Sequence, residues 1–227
     1  CRRACADLVG RICVRRGTGR GAAGTGRGGA VYNNGGQLTL GGVIVTGNTS
    51  TNGAGLSNAT SGAVLNVISC WISGNTTPGS GGGLQNFLGV TTNIVNSSIT
   101  GNTANSASTG GGAIQANGTV TITNSTIGGN SAPTSSAGGI YYNGTALTIT
   151  NSTISGNSSL NNGGGIHSSA ANPPAIRNTI IAGNHGNAAS VDMTGVAGSL
   201  GNNIVGVVGT SGGWTASDLQ NTDPLLA

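Results

Sequence analysis

The sequence predicts an all-β protein: a right-handed parallel β-helix, or β-solenoid, with three short strands in each coil of about 27 residues. Three observations carry this. The dipeptide Gly-Asn recurs with its asparagine at 48, 75, 102, 130, 157 and 184, at spacings of 27, 27, 28, 27 and 27. Aliphatic residues hold fixed places relative to each of these asparagines. Glycine makes up 45 of the 227 residues, and with the many β-branched residues it opposes helix formation.

The first strand of each coil carries two aliphatic positions. Eight residues before each asparagine stand Leu40, Val67, Ile94, Ile122, Ile149 and Ile176. Ten before stand Leu38, Leu65, Thr92, Val120, Leu147 and Pro174. Polar residues alternate with them, as in Thr119-Val120-Thr121-Ile122-Thr123, which is the period of a strand with one buried face. The second strand centres three residues before the asparagine, on Val45, Ile72, Ile99, Ile127, Ile154 and Ile181. The third follows a glycine cluster, at Val31, Leu56, Leu84, Ile114, Ile140 and Ile166. The distance from each Gly-Asn asparagine to the next of these aliphatics varies from 8 to 12 residues, so this corner of the coil accepts insertions as a surface loop does.

Two further sets of asparagines recur. Asn96, Asn124, Asn151 and Asn178 share one repeat position. Asn33, Asn58 and Asn86, with Asn117 and Asn143 one place later, form another. Positive φ at turns and amide stacking between coils are expected of them. Ile127→Asp is expected to prevent folding by burying an unpaired charge. Ser152→Ala, at an outward or turn position, is expected to cost under about 1 kcal/mol.

Charge is sparse and segregated. The chain has eight Arg and four Asp, no Lys and no Glu, for a formal net charge of +4. Seven arginines lie in the first 27 residues, and no charged residue occurs from Gly28 to Ile176. This suggests a basic, Cys- and Arg-rich cap or linker over 1–27, coils over 28–185, and a last coil with a C-terminal tail over 186–227. Residues 4–13 read as a short amphipathic helix, or a strand runs from Ile12 to Val14. Residues 214–219 read as a loop with one helical turn, capped by Thr215 or Ser217. Of Cys1, Cys5, Cys13 and Cys70, the last is expected to be free and buried; the pairing of the others stays open. No C-x-x-C pair suggests zinc. No apolar run is long enough for a helical membrane span. The arginines are not spread over a face with aromatics between them, so no nucleic-acid partner is expected.

Gly111-Gly112-Ala113-Ile114, together with Ile154-Ser155-Gly156-Asn157, resembles the repeat of bacterial right-handed parallel β-helix surface and secreted proteins. The chlamydial polymorphic outer membrane proteins are among them, with Phe where this chain has Ile, Val or Leu. The likeness covers roughly residues 28–226, including Asn151–Asn157 and the closing run Thr222-Asp-Pro-Leu-Leu226. It implies a cell-surface or extracellular location and says little about activity. The β-helix polysaccharide lyases and hydrolases share this architecture. Their sites use carboxylate clusters, with Ca²⁺ in the lyases, which the repeated strands here lack.

Tyr32, Ser57, Gln85, Gln115, Tyr141 and His167 each follow a third-strand aliphatic. By alternation they form one outward column. Within it, Tyr32, Gln85, Gln115, Tyr141 and His167 are candidate ligand-binding residues, with the aromatic rings as platforms for a glycan. General acid–base catalysis needs a titratable group near its proton. From Gly28 to Ile176 only His167, Cys70 and the tyrosines qualify, so no enzymatic activity, cofactor or metal is expected. The expected function is structural: a surface stalk, adhesin or fibre subunit whose unpaired solenoid ends stack head to tail into filaments. The alternative is a polysaccharide-binding or polysaccharide-degrading β-helix, with its site at this outward column or at Asp192 and Asp218.

Overall fold

The structure is a computed structural model describing residues 26–187 and 191–226 in full and residues 13–15 by backbone. It is a parallel β-solenoid of about six turns. No helix occurs among the described residues. Face one has seven strands, from Gln37–Gly41 to Gly198–Ser199. Face two has nine, from Cys13–Arg15 to Leu219–Gln220. Face three has seven, from Val31–Asn34 to Met193–Thr194.

The predicted coil register is realised. Ile94 pairs with Ile122, Ile99 with Ile127 and Ile114 with Ile140. These aliphatics are buried in one continuous core that runs the length of the solenoid. Thr92 is the polar exception among the buried first-strand positions. Its hydroxyl donates to Asn86 Oδ1 at 2.7 Å and accepts from Asn58 Nδ2 at 3.1 Å, so burying it leaves no orphan.

A fourth ribbon adds to the three expected strands. Its members are Thr76–Thr77, Thr103–Ala104, Ser131–Ala132 and Ser158–Ser159, directly after the Gly-Asn turns. Two residues carry too little alternation to read as a strand from sequence. The insertion-tolerant corner follows this ribbon.

The corners are set by left-handed residues. Between faces one and two stand Gly42, Ser69, Asn96, Asn124, Asn151, Asn178 and Asn202, all with φ between 48° and 63°. Three residues before face three stand Gly28, Gly53, Gly81, Gly111, Ala137 and Gly163, with φ between 58° and 75°. A β-carbon on Gly111 would lie 2.3 Å from the Ile114 carbonyl oxygen, so glycine is favoured by space as well as by φ. Ala137 alone carries a side chain in this column.

At the N-terminus, Cys13–Arg15 forms a strand paired in parallel with Ile44–Thr46. This resolves the helix-or-strand alternative for residue 13; residues 4–12 and the side chains of Cys1, Cys5 and Cys13 lie outside the described residues. At the C-terminus the expected helical turn is a β-turn. The Asp218 amide donates to the Thr215 carbonyl, and Asp218 itself, not Thr215 or Ser217, accepts the local donors. Trp214 packs against the end of the core.

Candidate functional site

The six candidate positions do form one column. Tyr32 pairs with Ser57, Ser57 with Gln85, Gln85 with Gln115, Gln115 with Tyr141 and Tyr141 with His167. The expectation that the whole column faces solvent is corrected. Tyr32 is exposed, but Ser57 is 1% exposed and Gln85 and Gln115 are 6% exposed. Tyr141 and His167 are half-buried. Alternation fixes the side of a strand; it does not reveal what lies over that side. Here the Gly53 turn closes against Ser57 and Gln85: a β-carbon there would be 3.1 and 3.0 Å from their β-carbons. The Arg27 guanidinium also lies 4.3 Å from the centroid of the Phe87 ring, a cation–π contact between the first and third coils.

Within the column Gln85 Nε2 donates to Gln115 Oε1 at 2.8 Å. Ser57 Oγ and Gln85 Oε1 are buried without a hydrogen-bond partner. Tyr32 donates to Asn34 Oδ1 at 3.3 Å. The Tyr141 and His167 rings stand 5.2 Å apart with a 39° tilt. His167 Nδ1 lies 3.1 Å from Thr194 Oγ1, and burial holds the imidazole below its ordinary pKa. The column therefore offers a neutral imidazole, amides and aromatic edges, but no carboxylate.

Most of the polar chemistry runs inside the solenoid. The six Gly-Asn asparagines are buried. From Asn48 to Asn157, each Nδ2 donates to Oδ1 of the next coil's asparagine at 2.8–2.9 Å. The backbone N–H of each donates to the same oxygen at 2.9–3.0 Å. From Asn75 onward Nδ2 also reaches a carbonyl of the preceding coil, as from Asn130 to Ile99 at 2.9 Å. Every amide thus points the same way along the axis.

Asp192 ends this ladder. It is the residue before Met193, in the register place held by Gly55, Gly83, Ala113, Gly139 and Gly165 in earlier coils. Its Oδ1 accepts the Asn184 amide N–H at 3.0 Å and Asn184 Nδ2 at 2.8 Å, and its Oδ2 accepts Val207 N–H at 2.6 Å. A carboxylate only accepts, which is what the last rung requires. Burial pushes this carboxyl above its usual range, opposed by the Asn184 and Val207 donors and by His185.

A second ladder runs beside the left-handed corner. The amide N–H of Val43 donates to Cys70 Sγ, that of Cys70 to Ser97 Oγ, that of Ser97 to Ser125 Oγ and that of Ser125 to Ser152 Oγ. Farther along, Thr179 N–H donates to Asn203 Oδ1, and Asn203 N–H and Nδ2 both donate to Asp218 Oδ1 at 2.9 Å. Asp218 Oδ2 accepts Ser199 Oγ, Thr215 N–H and Thr215 Oγ1. Burial acts to raise this carboxyl, and these donors outweigh it, so its pKa lies below the usual carboxylate range. Cys70 is a free buried thiol as expected, and burial pushes its pKa up.

Three asparagine expectations are refined. Asn33, Asn58 and Asn86 do stack, with Asn33 donating to Asn58 at 2.9 Å. Asn117 and Asn143 do not continue this set: Ala116 and Tyr142 take its register positions. Asn96, Asn124, Asn151 and Asn178 are exposed turn residues, and only Asn178 and Asn151 are bonded amide to amide, at 3.1 Å.

Asp192 and Asp218 are the carboxylates the sequence offers for a polysaccharide-acting site; that each would instead end a polar ladder was not read from it. Among the described residues no group of three or more His, Cys, Asp or Glu side chains is placed to hold a metal ion. Among the described residues no helix is long and apolar enough to cross a membrane. No protein-family model, curated protein or solved structure matches the chain.

Proposed function

We propose that the protein is a non-enzymatic structural β-solenoid of the cell surface or extracellular space, a rod that spaces or presents other elements. The observation that carries this reading is the use of both buried carboxylates, Asp192 and Asp218, as terminal acceptors of polar ladders. Groups that catalysis would employ are thereby committed to holding the rod together. The neutral, hydroxyl- and amide-rich coils and the resemblance to bacterial surface β-helix repeats support the location. Depolymerisation assays on a panel of neutral and acidic polysaccharides test the reading, with no turnover expected. Turnover that disappears in His167→Ala would overturn it.

A second reading, a polysaccharide-binding β-helix, draws on the tilted Tyr141–His167 pair beside Gln115. Affinity electrophoresis in polysaccharide gels discriminates the two. Retardation lost in Tyr141→Ala would favour binding, and unretarded migration throughout would favour the plain rod.

A further inference from the structure

Two side chains near the start of the solenoid depart from the repeat, and they meet. Phe87, the chain's one phenylalanine, directly follows the strand Leu84–Asn86. The same place in neighbouring coils is held by Ala59, Asn117, Asn143 and Ser169, so the coil itself does not call for an aromatic ring there. Its partner is Arg27, whose guanidinium lies 4.3 Å from the ring centroid. A stack of this kind at an exposed site contributes only about 0.5–1 kcal/mol to the fold. It occupies one face of the guanidinium and leaves in-plane N–H donors for other acceptors. No carboxylate of the coils takes them: the acids among the described residues are Asp192, Asp218 and Asp223, all at the far end of the solenoid, where the first two close polar ladders.

The surroundings suit a sugar ring. A β-carbon on Gly28 would lie 2.9 Å from Tyr32 Cα, so the turn after Arg27 is held against the Tyr32 strand. The Tyr32 ring is 42% exposed. From Tyr32 the column runs through Ser57 to Gln85, two residues before Phe87. Ser57 Oγ and Gln85 Oε1, both buried without partners, belong to the second and third of the three coils that the Arg27–Phe87 contact bridges. We propose that Arg27, held in place by Phe87, binds the carboxylate of an acidic polysaccharide, with Tyr32 as the platform for the sugar ring. A guanidinium edge takes a carboxylate through two parallel, charge-assisted hydrogen bonds, and an exposed aromatic face takes the C–H face of a sugar. A uronic-acid unit presents both groups, whereas an acidic peptide presents only the first. This site rests on the polysaccharide-binding reading, gives it a ligand class and lies in other coils than Tyr141 and His167.

Isothermal titration calorimetry on the full chain tests this, with a hyaluronan hexasaccharide as the acidic probe and its carboxyl-reduced form as the neutral one. The acidic probe is expected to bind, and the reduced probe to bind about tenfold more weakly or less. Arg27→Gln, Phe87→Leu and Tyr32→Ala are each expected to weaken binding of the acidic probe about tenfold. Tyr141→Ala is expected to bind it like the parent. Phe87→Leu decides, because it leaves every charge in place. Attraction to the arginines of residues 1–27 as a group would leave its affinity unchanged, and that result overturns the proposal. Should Phe87→Leu lose its β-sheet circular dichroism, Arg27→Lys takes its place, keeping the charge and removing the planar fork. No binding of the acidic probe, equal binding of the reduced probe, or equal binding of a glutamate hexapeptide also overturns it. Binding lost in Tyr141→Ala and kept in Arg27→Gln overturns this site while leaving the polysaccharide-binding reading standing. That reading is decided separately, by the polysaccharide gels.

Discussion

Replacing Asn130 by alanine removes one rung from the middle of the amide ladder. The consequence follows from what its neighbours lose. The Asn102 N–H, donated to Asn130 Oδ1 at 2.9 Å, is left buried without an acceptor. An orphaned buried group of this kind costs about 1–3 kcal/mol. Asn102 Nδ2 loses the same oxygen but keeps the Ile72 carbonyl at 3.0 Å and the Thr100 carbonyl at 3.2 Å. Asn157 Oδ1 loses Asn130 Nδ2 and keeps the Asn130 N–H at 3.0 Å. The Ile99 carbonyl loses a donor at 2.9 Å. Each of these partial losses costs about 0.5–1.5 kcal/mol, so the whole change amounts to about 2.5–7.5 kcal/mol. For a chain of this length that is a fall in Tm of roughly 10 °C or more. The control is Asn124→Ala, an exposed corner residue at φ 48° whose loss carries only the left-handed strain of about 1–2 kcal/mol. Urea and thermal unfolding followed by circular dichroism compare the two, and amide hydrogen exchange reads the Asn102 N–H directly. Equal destabilisation by both variants, or an Asn102 amide as protected in Asn130→Ala as in the parent, would refute the ladder argument.

The other expectations concern the glycine column, the hydroxyl ladder and the carboxylate ends. Gly111→Ala should cost more than about 2 kcal/mol, from left-handed strain and contact with the Ile114 carbonyl, whereas Ala137→Gly should change stability by no more than about 1 kcal/mol in either direction; urea midpoints read both. Ser152→Ala, first expected to be nearly neutral, should instead cost about 1–3 kcal/mol, because its buried hydroxyl accepts the Ser125 N–H at 3.2 Å. Cys70→Ser should fold with a similar midpoint, since serine already fills this column at 97, 125 and 152. With pH, the two carboxylates act oppositely. Asp218, with its pKa lowered by folding, contributes stability above the unfolded carboxylate value of about 3.9 that is lost as pH falls through its folded value. Asp192, with its pKa raised, contributes stability below that value that is lost as pH rises through its folded one. Asp218→Asn should therefore flatten the acid side of a midpoint-against-pH curve and Asp192→Asn should steepen it; the reverse pattern would contradict these shifts.

The coil was legible because its residues obey translation: whatever recurs every 27 positions lands on one line parallel to the axis. Leu56, Ile72 and Ile94 could be assigned to the core on that ground alone. The parts that escaped notice sit where translation fails or where the signal is one residue wide. Asp192 follows Asn184 by only eight residues, because the carboxylate enters the ladder from face three, one residue before Met193. The hydroxyl ladder was visible as a Ser, Thr or Asn directly after each left-handed asparagine, from Ser97 to Asn203, but adjacency to a turn read as exposure. The column of Gln85 and Gln115 was placed correctly and its burial was not. For Gln85 part of the covering comes from Gly53, which approaches it from the coil before.

A ladder in which each amide accepts from the coil before and donates to the coil after has identical joints throughout. Removing residues 131–157 would join Asn130 to Ser158, and adding a copy of them would insert one more rung; in either case each remaining amide meets another like itself. Only the carboxylate at the far end is unique, and the one rung it meets is Asn184. Rod length is thus uncoupled from the chemistry that terminates it. Unequal exchange between repeats in the gene can lengthen or shorten the molecule in steps of one coil, about 4.8 Å each, without redesigning either end.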